Sequence, residues 1–229
     1  MSVRSHNHGM RRVFVDPGFP QRDAIEEAAS RILAGGLVAL PTDTLYGLAA
    51  DPFSAAAVAH VFAVKGRAAE RALPLIAADA SQIAAYLGRL SSAAEQLAAR
   101  FWPGPLTVLV AAPAALAADV TGGTGKVGVR VPAHAVARAI CAACARPITA
   151  TSANISGAPA TADPAEVERT LGDRIDLLID TGPTRGGAPS TIVDLTGAAP
   201  ALVRAGAISW DEIQACLRSE HTRHPAVRG

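Results

Sequence analysis

An apolar run at residues 37–40, Leu-Val-Ala-Leu, leads directly into Pro41-Thr42-Asp43-Thr44-Leu45-Tyr46-Gly47-Leu48. Proline cannot continue a sheet ladder, so the run reads as a strand that stops and presents hydroxyls, a carboxylate and a phenol at its carboxyl edge, where open α/β sheets hold ligands. The same residues suit a turn in which Thr42 and Asp43 bond nearby backbone and cap a following helix. Asp43 is open to two readings, a magnesium ligand or a turn former, and Tyr46 reads as packing. Of the 21 Lys and Arg residues only Lys65 and Lys126 are lysine, and each has glycine as a neighbour. A compact ammonium beside permissive backbone suits contact with phosphate or carboxylate, and arginine does not match its geometry.

Several chemistries are excluded by context. Gly123-Thr124-Gly125-Lys126-Val127-Gly128 has dinucleotide-type glycine spacing but runs into a strand-like Val129-Arg130-Val131-Pro132 rather than a helix, and it lacks the residues of a Walker loop. Cys141-Ala-Ala-Cys144 lies in an alanine-rich helical stretch with no second ligand pair, so it reads as core. His60 and His134 are isolated in sequence, no metal ligand set is expected, and no serine nucleophile elbow occurs.

The elements that must carry these residues follow from periodicity. A short strand is expected at 13–15 and a helix at 22–34 that stops at Gly35-Gly36, followed by the strand at 37–40. Ser54 caps a helix to Val64, a buried strand covers 73–77, and a helix at 91–101 ends at Trp102-Pro103-Gly104-Pro105. Strands at 106–110 and 127–131, a helix at 134–144, a polar segment after Ala150, a helix at 164–171, strands at 177–179, 191–195 and 202–203, and a helix from Ser209 complete the order. Short separations between the late strands favour antiparallel pairing in part of the sheet, so a mixed sheet is expected.

The chain has 229 residues, 50% of them hydrophobic and only 4% aromatic, which fits one domain with an aliphatic core at 13–217 between flexible tails at 1–12 and 218–229. A net charge of +1 excludes a strongly basic nucleic-acid binder but allows a local basic cleft. Three cysteines make no disulfide framework, and no secretory leader or membrane-length apolar run is seen, so a cytoplasmic protein without membrane contact is expected.

Six polar segments, each at the end of an expected element, come in a fixed order: residues 41–48, Lys65-Gly66-Arg67, Pro103-Gly104-Pro105-Leu106-Thr107, Val127-Gly128-Val129-Arg130-Val131-Pro132, Ser152-Ala153-Asn154-Ile155-Ser156-Gly157 and Arg204-Ala205-Gly206. In order and wording they resemble the YrdC/Sua5 family of threonylcarbamoyl-AMP synthases, in its short single-domain form, over about residues 24–217. The resemblance implies an α/β fold with a YrdC-like open twisted mixed parallel and antiparallel sheet, flanked by helices, around a basic concave cleft. It implies condensation of L-threonine, bicarbonate and ATP, with Mg2+ accompanying ATP, into threonylcarbamoyl-AMP and pyrophosphate for the t6A37 modification of tRNAs that read ANN codons. By the same resemblance Lys65 and Arg67 meet ATP phosphates, Ser152 and Asn154 donate to phosphate or ribose, Arg204 closes the nucleotide side, and Lys126 adds to it. Arg130 clamps the threonine carboxylate, with Thr42 and Ser190 orienting its amine or hydroxyl. Lys65, Arg67 and Arg130 are the expected catalytic residues.

Departures from the family pattern are Ala68 and Ala205 where proline is usual, which predicts looser loops, and an apolar stretch at 73–77 where some members carry a histidine on the threonine side. Other t6A-pathway proteins that transfer the threonylcarbamoyl group are expected partners. Two further readings stay open at this point. One is a module that holds tRNA or double-stranded RNA without chemistry, which the near-neutral charge and scarce aromatics weaken. The other is a carbamoyl-transfer domain of the kind found in much longer hydrogenase-maturation proteins.

Overall fold

The computed structural model describes residues 9–66 and 72–219. The expected tails therefore lie largely outside the described residues, as do Arg67 and Ala68. Alternating elements build β1 (Arg11–Phe14), α1 (Arg22–Leu33), β2 (Val38–Leu40), β3 (Gly47–Ala49), α2 (Ala55–Lys65), β4 (Leu75–Ile76), α3 (Ala80–Leu87), α4 (Ser92–Phe101), β5 (Leu106–Ala111), β6 (Lys126–Arg130), α5 (Ala135–Ala143), β7 (Ile148–Thr149), β8 (Thr151–Ser152), α6 (Pro164–Leu171), β9 (Leu177–Asp180), β10 (Thr191–Asp194), β11 (Ala201–Arg204) and α7 (Trp210–Arg218). Ser54 caps its helix as the sequence predicts, and Ser91 and Ser209, expected as helix starts, also serve as caps, the last in a reciprocal capping box with Glu212.

The expected single sheet is two. One runs β1-β9-β2-β3-β8 and the other β11-β10-β5-β6-β4-β7, each mixing parallel and antiparallel neighbours. The chain crosses between them at residues 148–152, where β7 closes the edge of the second sheet and, one residue later, β8 closes the edge of the first. The crossing is sealed by hydrogen bonds from Thr149 N–H to the Ala50 carbonyl (3.0 Å) and from Ala50 N–H to the Thr149 hydroxyl (2.8 Å). Each sheet thus ends beside the other.

Two aliphatic clusters fill the interior. The larger packs α2, α4 and the inner faces of β3 to β6, with Leu48, Val61, Leu97, Val108 and Val129 all buried. The second joins α1 and α5 through Ile25, Ile32, Val136 and Ile140, and it includes Cys141 and Cys144. Both thiols are free and buried, and burial pushes Cys144 up to about 12 and Cys141 well above its ordinary value. Both are core residues, as their helical setting predicts.

Candidate functional site

The octet opens as a hairpin, not as a helix start. Residues 41–46 connect β2 to β3, which pair antiparallel with Leu40 opposite Gly47. The turn is made by Thr42: its hydroxyl donates to the Leu45 carbonyl (2.7 Å) and accepts from the N–H of Thr44 (3.2 Å) and of Leu45 (3.3 Å). Thr42, expected to orient threonine, therefore has its hydroxyl engaged within its own turn. The tip is held from outside by residues 181–187, through Thr184 hydroxyl to the Thr44 carbonyl (2.8 Å) and Gly186 N–H to the same atom (3.0 Å). Tyr46 is fully buried and donates to the Gly182 carbonyl (2.8 Å), and burial raises its phenol. Its part is packing, as expected.

Between the sheets lies a cavity of about 310 Å³ lined by Thr42, Thr44, Thr107, Arg130, Ser152, Ser190 and Arg204 together with apolar strand residues. Alternation explains who faces it. On β5, Thr107 and Leu109 line the cavity while Leu106 and Val108 are core, and on β6 Gly128 and Arg130 line it while Val127 and Val129 are core. Gly128 keeps the space open, since a Cβ there would sit 2.9 Å from the Thr107 methyl. Thr107 is a site residue the sequence reading did not select, although a threonine alternating with core leucine and valine was its signal.

Arg130 is 7% exposed, with Nε donating to the Gly104 carbonyl (2.9 Å) and Nη2 bonded to the Asp43 carboxylate. Burial lowers its pKa and Asp43 opposes that shift. The Asp43 carboxylate is thus spent on Arg130, while Thr42 makes the turn. Arg204 stands across the cavity, donating through Nη2 to the carbonyl (2.6 Å) and hydroxyl (3.0 Å) of Ser190, whose hydroxyl also bonds Thr107 (2.8 Å). Burial and the nearness of Arg130 lower the Arg204 pKa, the signature of two guanidiniums facing one space.

The turn after β11 is tight rather than loose despite Ala205. A Cβ on Gly206 would lie 2.3 Å from the Pro189 carbonyl oxygen and 2.5 Å from Thr191 N, and Ala207 N–H bonds Pro189 (2.9 Å). Only glycine lets the two backbones approach this closely. Gly206→Ala is expected to lower stability by about 1–3 kcal/mol by overpacking and to detach Arg204 from Ser190, read as a fall in the urea midpoint together with weakened ATP binding.

Lys65, the last residue of α2 before the left-handed Gly66 cap (φ 57°), is 2% exposed. Its ammonium bonds the carbonyls of Ser152 and Asn154 (2.8 Å to the latter) and the Asn154 side-chain oxygen (3.3 Å). Asn154 in turn donates to the carbonyls of Ile155 (3.1 Å) and Ala158 (2.5 Å). Lys65 and Asn154 therefore shape the loop that carries Ser152, and of these three only Ser152 lines the cavity. Lys126 lies at the far end of β6, roughly 13 Å from Arg130 at about 3.3 Å per residue, and pairs with Asp194 (2.7 Å). Burial alone would raise Asp194, but hydrogen bonds from Lys126 and Thr196 outweigh it and hold the carboxyl at about 2. Arg67 lies outside the described residues.

The Sua5/YciO/YrdC family model, described as "Telomere recombination", matches residues 30–206. The chain belongs to that family. The Sua5/YciO/YrdC chain is 40% identical over 213 residues to the threonylcarbamoyl-AMP synthase of Pyrococcus abyssi, covering 91% of itself and 62% of that relative. It is 42% identical over 176 residues to the threonylcarbamoyl-AMP synthase of Alkalilimnicola ehrlichii, covering 76% of itself and 92% of that relative. Among solved structures, P. abyssi Sua5 complexed with L-threonine superposes with a TM-score of 0.84 at 38% identity, over 90% of this chain and 60% of that one. The Sua5/YciO/YrdC fold so matched holds its hairpin, the β6 arginine and its late arginine around one cavity.

Proposed function

We propose that this chain is a threonylcarbamoyl-AMP synthase, joining L-threonine, bicarbonate and ATP for the t6A modification of tRNA. The observation that carries the reading is the cavity lining: two guanidiniums, Arg130 and Arg204, with hydroxyls of threonine and serine and, among the described residues, no carboxylate. Such a basic cleft suits a site that must hold anionic substrates side by side. The relatives named above and the threonine complex of the Pyrococcus protein point the same way.

In this reading the threonine amine adds to the bicarbonate carbon, water leaves, and the resulting carbamate oxygen attacks the α-phosphorus of ATP. The bond from that phosphorus to the bridging oxygen breaks and pyrophosphate departs. No protein nucleophile takes part, which agrees with a site built of cations and hydroxyls: catalysis is positioning and charge neutralisation in a partly dry cavity. Arg130 takes the threonine carboxylate, and Arg204 with Ser152 takes the nucleotide side. Arg67 meets the phosphates, while Lys65 and Asn154 act by fixing the Ser152 loop. Mg2+ would accompany the ATP phosphates, neutralising their charge, since the described lining residues include no carboxylate. The product is passed to proteins that transfer the threonylcarbamoyl group to tRNA in the cytoplasm; no helix among the described residues is long and apolar enough to cross a membrane.

The test is pyrophosphate release by the purified protein with ATP, Mg2+ and bicarbonate, comparing L-threonine, L-serine, L-valine and no amino acid. Release that requires both threonine and bicarbonate is expected. Folded protein that releases none, yet binds RNA without ATP, would replace the synthase by an RNA-holding module.

A further inference from the structure

Asp43 sits in the hairpin octet, between Thr42 and Thr44. Thr42 makes the turn, and the Asp43 carboxylate is turned to a guanidinium 87 positions later in the chain. Its side chain is 11% exposed, and neither Asp43 nor Gly104 lines the cavity, whereas Arg130 does. The two bonds to Arg130 therefore hold its guanidinium from outside the substrate space. Of its five N–H donors one at Nε and one at Nη2 are taken, which leaves the Nη1 pair and the second Nη2 hydrogen. That remaining edge is the bidentate fork a carboxylate needs.

Gly104 is placed for its half of the clamp as deliberately as Asp43. A Cβ at position 104 would lie 2.3 Å from the Phe101 carbonyl oxygen, and the Gly104 N–H bonds the Val131 carbonyl (2.8 Å), one residue beyond Arg130. Three of the polar segments, the hairpin at 41–48, the Pro-Gly-Pro turn and the β6 arginine, thus converge on one side chain.

We infer that Asp43 is a positioning residue of the threonine subsite: with the Gly104 carbonyl it aims the free edge of Arg130 into the cavity. It also balances a charge that would otherwise repel the cavity's second arginine. An unaided arginine side chain would have to surrender its rotamer freedom on each binding event, and here that ordering is done in advance. The inference rests on the synthase reading for the identity of the ligand, but the clamp itself can be observed without turnover.

The experiment uses the full chain and the variants Asp43→Asn, Asp43→Ala, Arg130→Lys and Asp43→Ala with Arg130→Lys. The Nε–H signal of Arg130, assigned in a 15N spectrum by its loss in Arg130→Lys, is expected to be sharp and slow to exchange in the parent and to broaden or move in Asp43→Ala. In pyrophosphate release, Asp43→Ala is expected to raise the threonine KM about 10- to 100-fold with the ATP KM changed less than two-fold, and Asp43→Asn, which keeps an oxygen acceptor, to recover part of that loss. The double variant is expected to be no worse than Arg130→Lys alone. Equal rises in both KM values, additive losses in the double variant, or an unmoved Arg130 signal in folded Asp43→Ala would each overturn the inference. Should Asp43→Ala fail to fold, Asp43→Asn carries the same comparison. A parent protein with an ordered Arg130 signal and no threonine-dependent release refutes the synthase reading and leaves the clamp standing.

Discussion

Alanine at position 130 is expected to raise the threonine concentration for half-maximal pyrophosphate release by roughly 10²–10³-fold, equivalent to about 3–4 kcal/mol at 1.36 kcal/mol per tenfold. Two losses combine to make the effect this large. The variant removes the buried guanidinium that faces the cavity, and it leaves the Asp43 carboxylate, only 11% exposed, without a counter-ion. The second loss also costs stability, so thermal melting must accompany the kinetics. Arg130→Lys separates the two. Its ammonium can satisfy Asp43 or a substrate carboxylate but lacks the fork that serves both together with the Gly104 carbonyl. A threonine KM nearly as poor as that of the alanine variant, with melting restored, would show that the geometry of the fork matters more than the charge. Unchanged threonine dependence in both variants would remove Arg130 from the site.

The asymmetry between Arg130 and Arg204 sharpens this expectation. Arg130 is inside the fold and has an acid partner, whereas Arg204 sits on the exposed edge strand β11 and bonds only Ser190 among the described residues. An arginine anchored by neutral oxygens keeps its whole charge for the ligand. An ATP polyphosphate calls for that, while a single amino-acid carboxylate is better matched by a guanidinium already half neutralised.

Much of this arrangement was legible from spacing alone. Helix caps at Ser54, Ser91 and Ser209 and the apolar runs at 106–110, 127–131 and 191–195 are local signals, and local backbone physics answers to them. The helix at 80–87 was missed, although Asp79 caps it, because only Ile83 and Leu87 of its residues are buried and the apolar stripe is too thin to read. The division into two sheets was not legible for another reason. It depends on β7 and β8, two residues each and one residue apart, choosing partners in two different earlier strands, β4 for β7 and β3 for β8. Nothing in the composition of 148–152 marks that choice.

Charged residues followed the same rule. Lys126 shares the face of Arg130 on β6, but a face is not a position, and four residues of strand carry Lys126 away from Arg130 toward Asp194. Asp43 was legible as polar and near a turn, yet its partner is set by how the hairpin folds over β6. The family resemblance supplied what local physics could not, namely that distant segments belong together, while the geometry decided which of them touch.

Lys65 is where that distinction has its largest consequence. Lys65→Met, which keeps the length of the stem and removes the ammonium, is expected to lower stability by roughly 1–3 kcal/mol, the cost of leaving buried acceptors unsatisfied. Carbonyls of Ser152 and Asn154 and the Asn154 amide oxygen all accept from the ammonium, so its loss leaves buried acceptors unmatched. The Ser156 N–H also bonds the Lys65 carbonyl (2.8 Å), which ties the far side of the same loop to the end of α2. Released, the loop would carry Ser152 out of the cavity wall, and ATP binding would fall together with the melting temperature. Arg67→Ala makes the informative contrast: a phosphate contact should cost ATP affinity with melting unchanged. Calorimetric ATP binding and thermal melts of both variants decide between a lysine that touches ATP and one that builds the wall ATP touches. If Lys65→Met melts like the parent and loses only ATP, the ammonium must leave its carbonyls for phosphate when the nucleotide arrives.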